Sequence, residues 1–149
     1  MKSLDDPKAL DQLVSRLGAL HAETPRRWGT MTAGEMLCHV GDASASVLGR
    51  PGGGPGQSRP VRKWLALYTA LPWPHDLKTP PSVDPRLGGT RPDDFERDRC
   101  RAVEGLRALA QAPAAAFPSA HGQFGAMSRA DWLRWGYKHT DHHLRQFGV

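Results

Sequence analysis

Apolar residues recur along this chain at three- and four-residue spacing, the period of a helix with one buried face, and nowhere alternate convincingly with period two. Leu10, Leu13, Val14, Leu17 and Leu20 predict an amphipathic helix over about 6–21, with Pro7 tolerated in its first turn and Asp5 and Asp6 favouring a helix N-terminus. Thr32-Ala-Gly-Glu35 has the Ser/Thr-x-x-Glu form of a capping box, and Met36, Val40, Ala43 and Val47 continue a second helix to about Leu48. Trp64, Leu65, Leu67 and Tyr68 give a short apolar helix over 61–70 that ends before Pro72. Phe95, Ala102, Val103, Leu106 and Leu109 stripe a long helix introduced by Thr90-Arg91-Pro92-Asp93-Asp94 and stopped by Pro113. Ser128-Arg-Ala-Asp131 is a second capping-box-like start, leading a final helix to near Phe147.

Between these stretches lie a glycine-rich segment, 49–56, that forbids regular structure and is expected to move, a proline-rich connection over 72–92, and a loop over 113–127. No sheet is predicted. The expectation is an all-α fold: one domain over 1–149, a four-helix bundle with long crossover loops and a short extra helix.

Composition changes this picture little. With 39% hydrophobic and 23% charged residues the chain falls in the globular range. No run reaches the roughly 18 apolar residues of a membrane span, so no membrane partner is expected. The start, Met1-Lys-Ser-Leu-Asp-Asp, has no signal-peptide character, and a cytoplasmic location is the simplest reading. Cys38 and Cys100 are too few for a disulfide framework. The net charge of +5 raises the idea of a nucleic-acid partner. The basic residues are scattered among acids and never interleave with regularly spaced aromatics, which disfavours it. Nothing in the sequence decides between monomer and homodimer.

The candidate chemistry is histidine. His139, His142 and His143 fall within five positions of the last helix, and His139 and His143, four apart, project from one face about a turn apart. Such a pair can ligate one metal ion or simply be satisfied by hydrogen bonds. A metal site usually takes three or four protein donors. His39 lies on the apolar face of the second helix, between Met36 and Ala43, and can supply the third if the two helices pack side by side. Alone it reads as a core histidine. Neutral imidazoles bind Zn, Ni, Fe or Cu well and Mg or Ca poorly, so a divalent transition metal such as Zn, Ni or Fe is expected, with a coordination position open to water or substrate.

His142 is rotated about 100° from His143, which makes it a supporting or solvent-facing residue before a ligand. Cys38 diverges from His39 in the same way. Asp42, Asp141 and Glu35 are near enough along the chain to orient an imidazole, or to be ordinary surface acids. His121 could close over the open position and carry protons, or merely pack. Trp28, Trp132 and Trp135 are read as packing.

Three segments carry a resemblance: Arg26-Arg27-Trp28-Gly29-x-Met31-Thr32-x-x-x-Met36-Leu37-x-His39, His121-x-x-Phe124-Gly125-x-Met127-Ser128-x-x-x-Trp132, and Tyr137-Lys138-His139-x-Asp141-His142-His143-Leu144-Arg145-Gln146-Phe147-Gly148. Over nearly its whole length the chain resembles a bacterial family of unknown function within the DinB/YfiT-like superfamily, a group regarded as metalloenzymes. Gly122 stands where a proline is expected. The resemblance implies a four-helix bundle with metal held by one histidine of the second helix and a His-x-x-x-His pair of the fourth, here His39, His139 and His143. Some relatives are transferases and isomerases using a low-molecular-weight thiol that the metal activates; others have no known activity. A thiol-dependent S-transferase- or isomerase-like enzyme, or a hydrolase-like one, acting on an unknown small molecule is therefore expected. The rivals are a non-catalytic bundle with a stapling or vestigial metal site, and a nucleic-acid-associated module.

Overall fold

A computed structural model describes residues 2–49, 59–75 and 77–149. Apart from Gly49, the glycine-rich segment lies outside the described residues. Five α-helices occur among those described: α1 (Pro7–Gly18), α2 (Ala33–Leu48), α3 (Pro60–Tyr68), α4 (Phe95–Gln111) and α5 (Arg129–Gln146). The fold is all-α. A single turn of 3-10 helix at Pro81–Val83 interrupts the proline-rich connection, and another lies at Ala114–Ala116.

Local chemistry sets the boundaries. Both capping boxes form: Thr32 with Glu35 at the start of α2, Ser128 with Asp131 at the start of α5. At α4 the Asp94 carboxylate accepts the Arg97 N–H, so that helix starts at Phe95, later than the Thr90 segment suggests. α1 closes at Gly18, earlier than predicted, and Leu20 beyond it is nonetheless fully buried.

α2 packs along α4, where Gly41 and Gly105 let the two backbones approach: a Cβ on Gly105 would sit 2.9 Å from the Ser44 Cβ. α1 lies against α4 and α5, and α3 rests on α5. Leu13, Leu17, Met36, Leu37, Leu106, Leu133 and Leu144 form the fully buried centre. α3 departs from its apolar reading. Only Leu67 on it is buried, while Val61, Trp64 and Leu65 are exposed. Polar contacts fasten it instead, as Lys63 and Tyr68 both bond the buried Asp131 carboxylate of α5.

The absence of sheet needs correction. Strands β1 (Ala120–His121) and β2 (Gly125–Ala126) pair antiparallel, Ala120 opposite Ala126 and His121 opposite Gly125. Two residues per strand are too few to leave a period-two signal. Gly125 turns the chain at φ +72°, a conformation that favours glycine.

Candidate metal centre

α2 presents His39 and α5 presents His139 and His143 to a common point. Their ring centroids form a nearly equilateral triangle with sides of 4.9, 4.8 and 4.8 Å. The ring planes cross at 65°, 72° and 82°, and one donor atom from each ring lies within 4.8 Å of the others. The His39 and His139 Nε2 atoms are 3.0 Å apart. A tetrahedral ion with Zn–N bonds of about 2.0–2.1 Å holds its nitrogens roughly 3.4 Å apart, so small side-chain rotations bring this set to ligating geometry.

The protein fixes which nitrogen carries the hydrogen on two of the rings. His39 Nδ1 is 2.8 Å from the Val83 carbonyl, which can only accept, so the neutral ring keeps its Nε2 lone pair free for the cluster. His143 Nδ1 is 3.1 Å from Gln146 Oε1, and the Gln146 amide is oriented by its N–H donated to the Trp28 carbonyl at 2.9 Å. His143 therefore also holds its lone pair on Nε2. His139 is fixed by stacking, its ring 4.8 Å from Trp135 and nearly parallel at 8°. Burial holds the His39, His139 and His143 imidazoles below their ordinary pKa, the last two well below, so all three are neutral donors at neutral pH. The donor set fits a divalent transition ion.

The orienting acceptors are thus a backbone carbonyl and an amide, not the carboxylates considered from sequence. Asp42 is engaged by Arg101 and by the Thr90 N–H and hydroxyl. Asp141 accepts from Arg16 at 2.6 Å and Arg145 at 2.8 Å, and Glu35 closes its capping box and pairs with Arg86. Asp42 acts on His39 only through its charge. His142 lies 5.2 Å from His143, ring to ring, and packs among Trp28 and Trp73. Cys38 faces Asp98 on α4, where burial and that carboxylate push its thiol up to about 12. The group of converging donor atoms comprises His39, His139 and His143 and does not include Cys38.

The cluster forms the floor of a cavity of about 1080 Å³, large enough for a drug-sized molecule. Its walls come from α3, the proline-rich connection, the hairpin and α5. Trp132 and Trp135, read as packing, are buried and also line it; Trp73, not singled out from sequence, lies 6.3 Å from the His139 ring. His121 sits in the hairpin wall, stacked on Phe124 at 4.6 Å and 6.0 Å from Trp135. Burial, helped by the Arg62 charge, lowers its pKa to about 4. It is neutral near neutrality and poorly suited to carrying protons there.

These features define a helical protein with three converging imidazoles beneath a largely apolar chamber. Residues 5–147 match the DinB superfamily, and the chain belongs to that superfamily. No curated protein and no solved structure gave a match. No described helix is long and apolar enough to cross a membrane.

The Gln146 bridge makes a site effect testable at Gly29, a residue outside the histidine group. Gly29 has φ +72°, and a Cβ there would collide with the Gln146 amide nitrogen. Gly29→Ala is expected to displace Gln146, release His143 and weaken zinc binding about tenfold, within the range for losing an orienting partner. Competition titration with a chromophoric chelator checks this. Unchanged affinity would show that Gln146 does not position His143.

Proposed function

We propose that this protein is a metal-dependent enzyme built on a single four-helix bundle over 1–149. In this reading His39, His139 and His143 ligate Zn, Ni or Fe, and a small molecule in the cavity meets the remaining coordination position. The carrying observation is that three neutral, oriented imidazoles converge at the floor of a large cavity, with no fourth histidine, cysteine or carboxylate grouped with them among the described residues. A structural zinc site is normally closed by a fourth protein ligand, whereas a catalytic one keeps a position open.

A bound divalent ion supplies Lewis acidity that lowers the pKa of a water or thiol and makes it nucleophilic at neutral pH. The chain's own residues prepare for that chemistry. Val83 and Gln146 hold the His39 and His143 lone pairs inward, and Trp135 fixes the plane of His139. Trp73, Phe124 and Trp132 keep the chamber apolar, which strengthens electrostatics at the floor. Membership of the superfamily favours a low-molecular-weight thiol as the activated group, in an S-transferase- or isomerase-like reaction. The free thiols of Cys38 and Cys100 suit a reducing compartment such as the cytoplasm.

Metal analysis of protein purified without chelator or affinity tag tests the ligand set. About one equivalent of transition metal is expected in the wild type, lost in His39→Ala and in His143→Ala. Full retention in either variant would remove that residue from the set.

A further inference from the structure

The charges around the cavity are one-sided. Arg59, Arg62 and Lys78 line it, and no aspartate or glutamate does among the described residues. Two lining groups, Arg62 of α3 and His121 of the hairpin, share a tether. The Gln123 backbone N–H donates to His121 Nδ1 at 3.0 Å, and because that N–H can only donate, the ring must carry its own hydrogen on Nε2. Among the described residues Nε2 makes no hydrogen bond, and the His121 ring lines the cavity. Arg62 donates through one nitrogen to the Gln123 side-chain oxygen at 3.1 Å. One residue, Gln123, thus tethers both a guanidinium, whose other N–H groups are unengaged among the described residues, and a neutral imidazole that can donate. Trp135 neighbours both His121 and the floor: its ring is 6.0 Å from His121 and 4.8 Å from His139.

We propose that Arg62 and His121 form an anion-binding subsite, and that the cavity's ligand is a molecule with an apolar body and one carboxylate end. The carboxylate takes a charge-assisted hydrogen bond from Arg62 and a second from His121 Nε2–H. The apolar body lies along Phe124, Trp132 and Trp135, and its far end faces the histidine cluster. The identification of the cavity as the ligand chamber rests on the functional reading above; the carboxylate preference does not require a metal.

Intrinsic fluorescence reports binding, since Trp73, Trp132 and Trp135 line the cavity. Dodecanoate, dodecanol and dodecyltrimethylammonium are titrated into metal-loaded and metal-stripped protein. Dodecanoate is expected to bind at least about tenfold tighter than the alcohol in both forms, and the ammonium no tighter than the alcohol. Arg62→Ala and His121→Phe are each expected to cut the carboxylate preference severalfold while leaving dodecanol affinity unchanged, which also shows that the variants fold. Equal affinity for acid and alcohol, absence of binding by all three, or a preference untouched in both variants would overturn the subsite. A preference that vanishes on metal removal yet survives Arg62→Ala would also overturn it, by placing the carboxylate on the metal. If instead the wild type holds no metal while both variants lose the preference, the metal reading fails and the subsite stands.

Discussion

On the proposed metal site, zinc is expected to raise the melting temperature of metal-stripped protein, and His139→Ala to abolish that rise. A ligand that binds only the folded state, at about a thousandfold over its Kd, adds roughly 4 kcal/mol. For a chain of this size, at about 2–4 °C per kcal/mol, that is a rise in Tm on the order of 10 °C. His139 belongs to the i, i+4 pair on α5, and its ring sits 4.9 Å from His39 and 4.8 Å from His143 and is stacked on Trp135. Without it His39 and His143 come from different helices, with no local pair to anchor the ion. Calorimetry with and without zinc measures the difference. A zinc-dependent shift of wild-type size in the variant would exclude His139 as a ligand.

Asp131→Ala is expected to cost about 3 kcal/mol or more, the scale of losing one partner from a buried, hydrogen-bonded charge pair. The buried carboxylate accepts from the Tyr68 hydroxyl, from Lys63 at 3.2 Å, and from the Ser128 N–H and hydroxyl at 2.9 and 3.0 Å. Two of these donors belong to α3, which buries little apolar surface of its own. Amide exchange over Pro60–Tyr68 should therefore approach unprotected rates in the variant while α2 and α4 stay protected. Burial pushes the Asp131 carboxyl up, but the Tyr68, Ser128 and Lys63 donors together hold it below its ordinary value. A carboxylate with a depressed folded pKa contributes in full above its unfolded value, near about 3.9, and loses that contribution as pH falls through the folded pKa. The stability gap between wild type and variant should accordingly be flat from neutrality to about pH 5 and shrink below about 4. A gap that widens on acidification would contradict the assignment of Asp131 as a charged acceptor.

The helices were legible because their signals are local. Thr32 with Glu35 and Ser128 with Asp131 announce two starts, and the leucine periodicity marks the buried stripes. Periodicity placed His39 and the His139, His143 pair on the inward faces of their helices, but their grouping also needed the two helices side by side, which the family resemblance implied. What escaped was non-periodic. The Val83 carbonyl leaves no trace in side-chain type, and a two-residue strand is too short to alternate. Gln146 did carry a signal, three positions after His143 on the same face, but an amide is a less familiar partner for a ligating imidazole than a carboxylate. The exposed face of α3 misled because its apolar residues resemble a core stripe, whereas its attachment runs through Lys63 and Tyr68.

The three histidines stand on two long helices, while Arg62, Trp73, His121 and Phe124 all come from the short helix, the connection and the hairpin. Such a division makes the scaffold re-addressable. Grafted connectors would reshape the chamber while the helix pair keeps its three imidazoles. Two features cross the division: Trp132 and Trp135 of α5 line the chamber, and the Val83 peptide of the connection serves its floor, so any transplanted connector has to return a carbonyl to His39. That single requirement is the design rule for giving this all-α scaffold a new chamber.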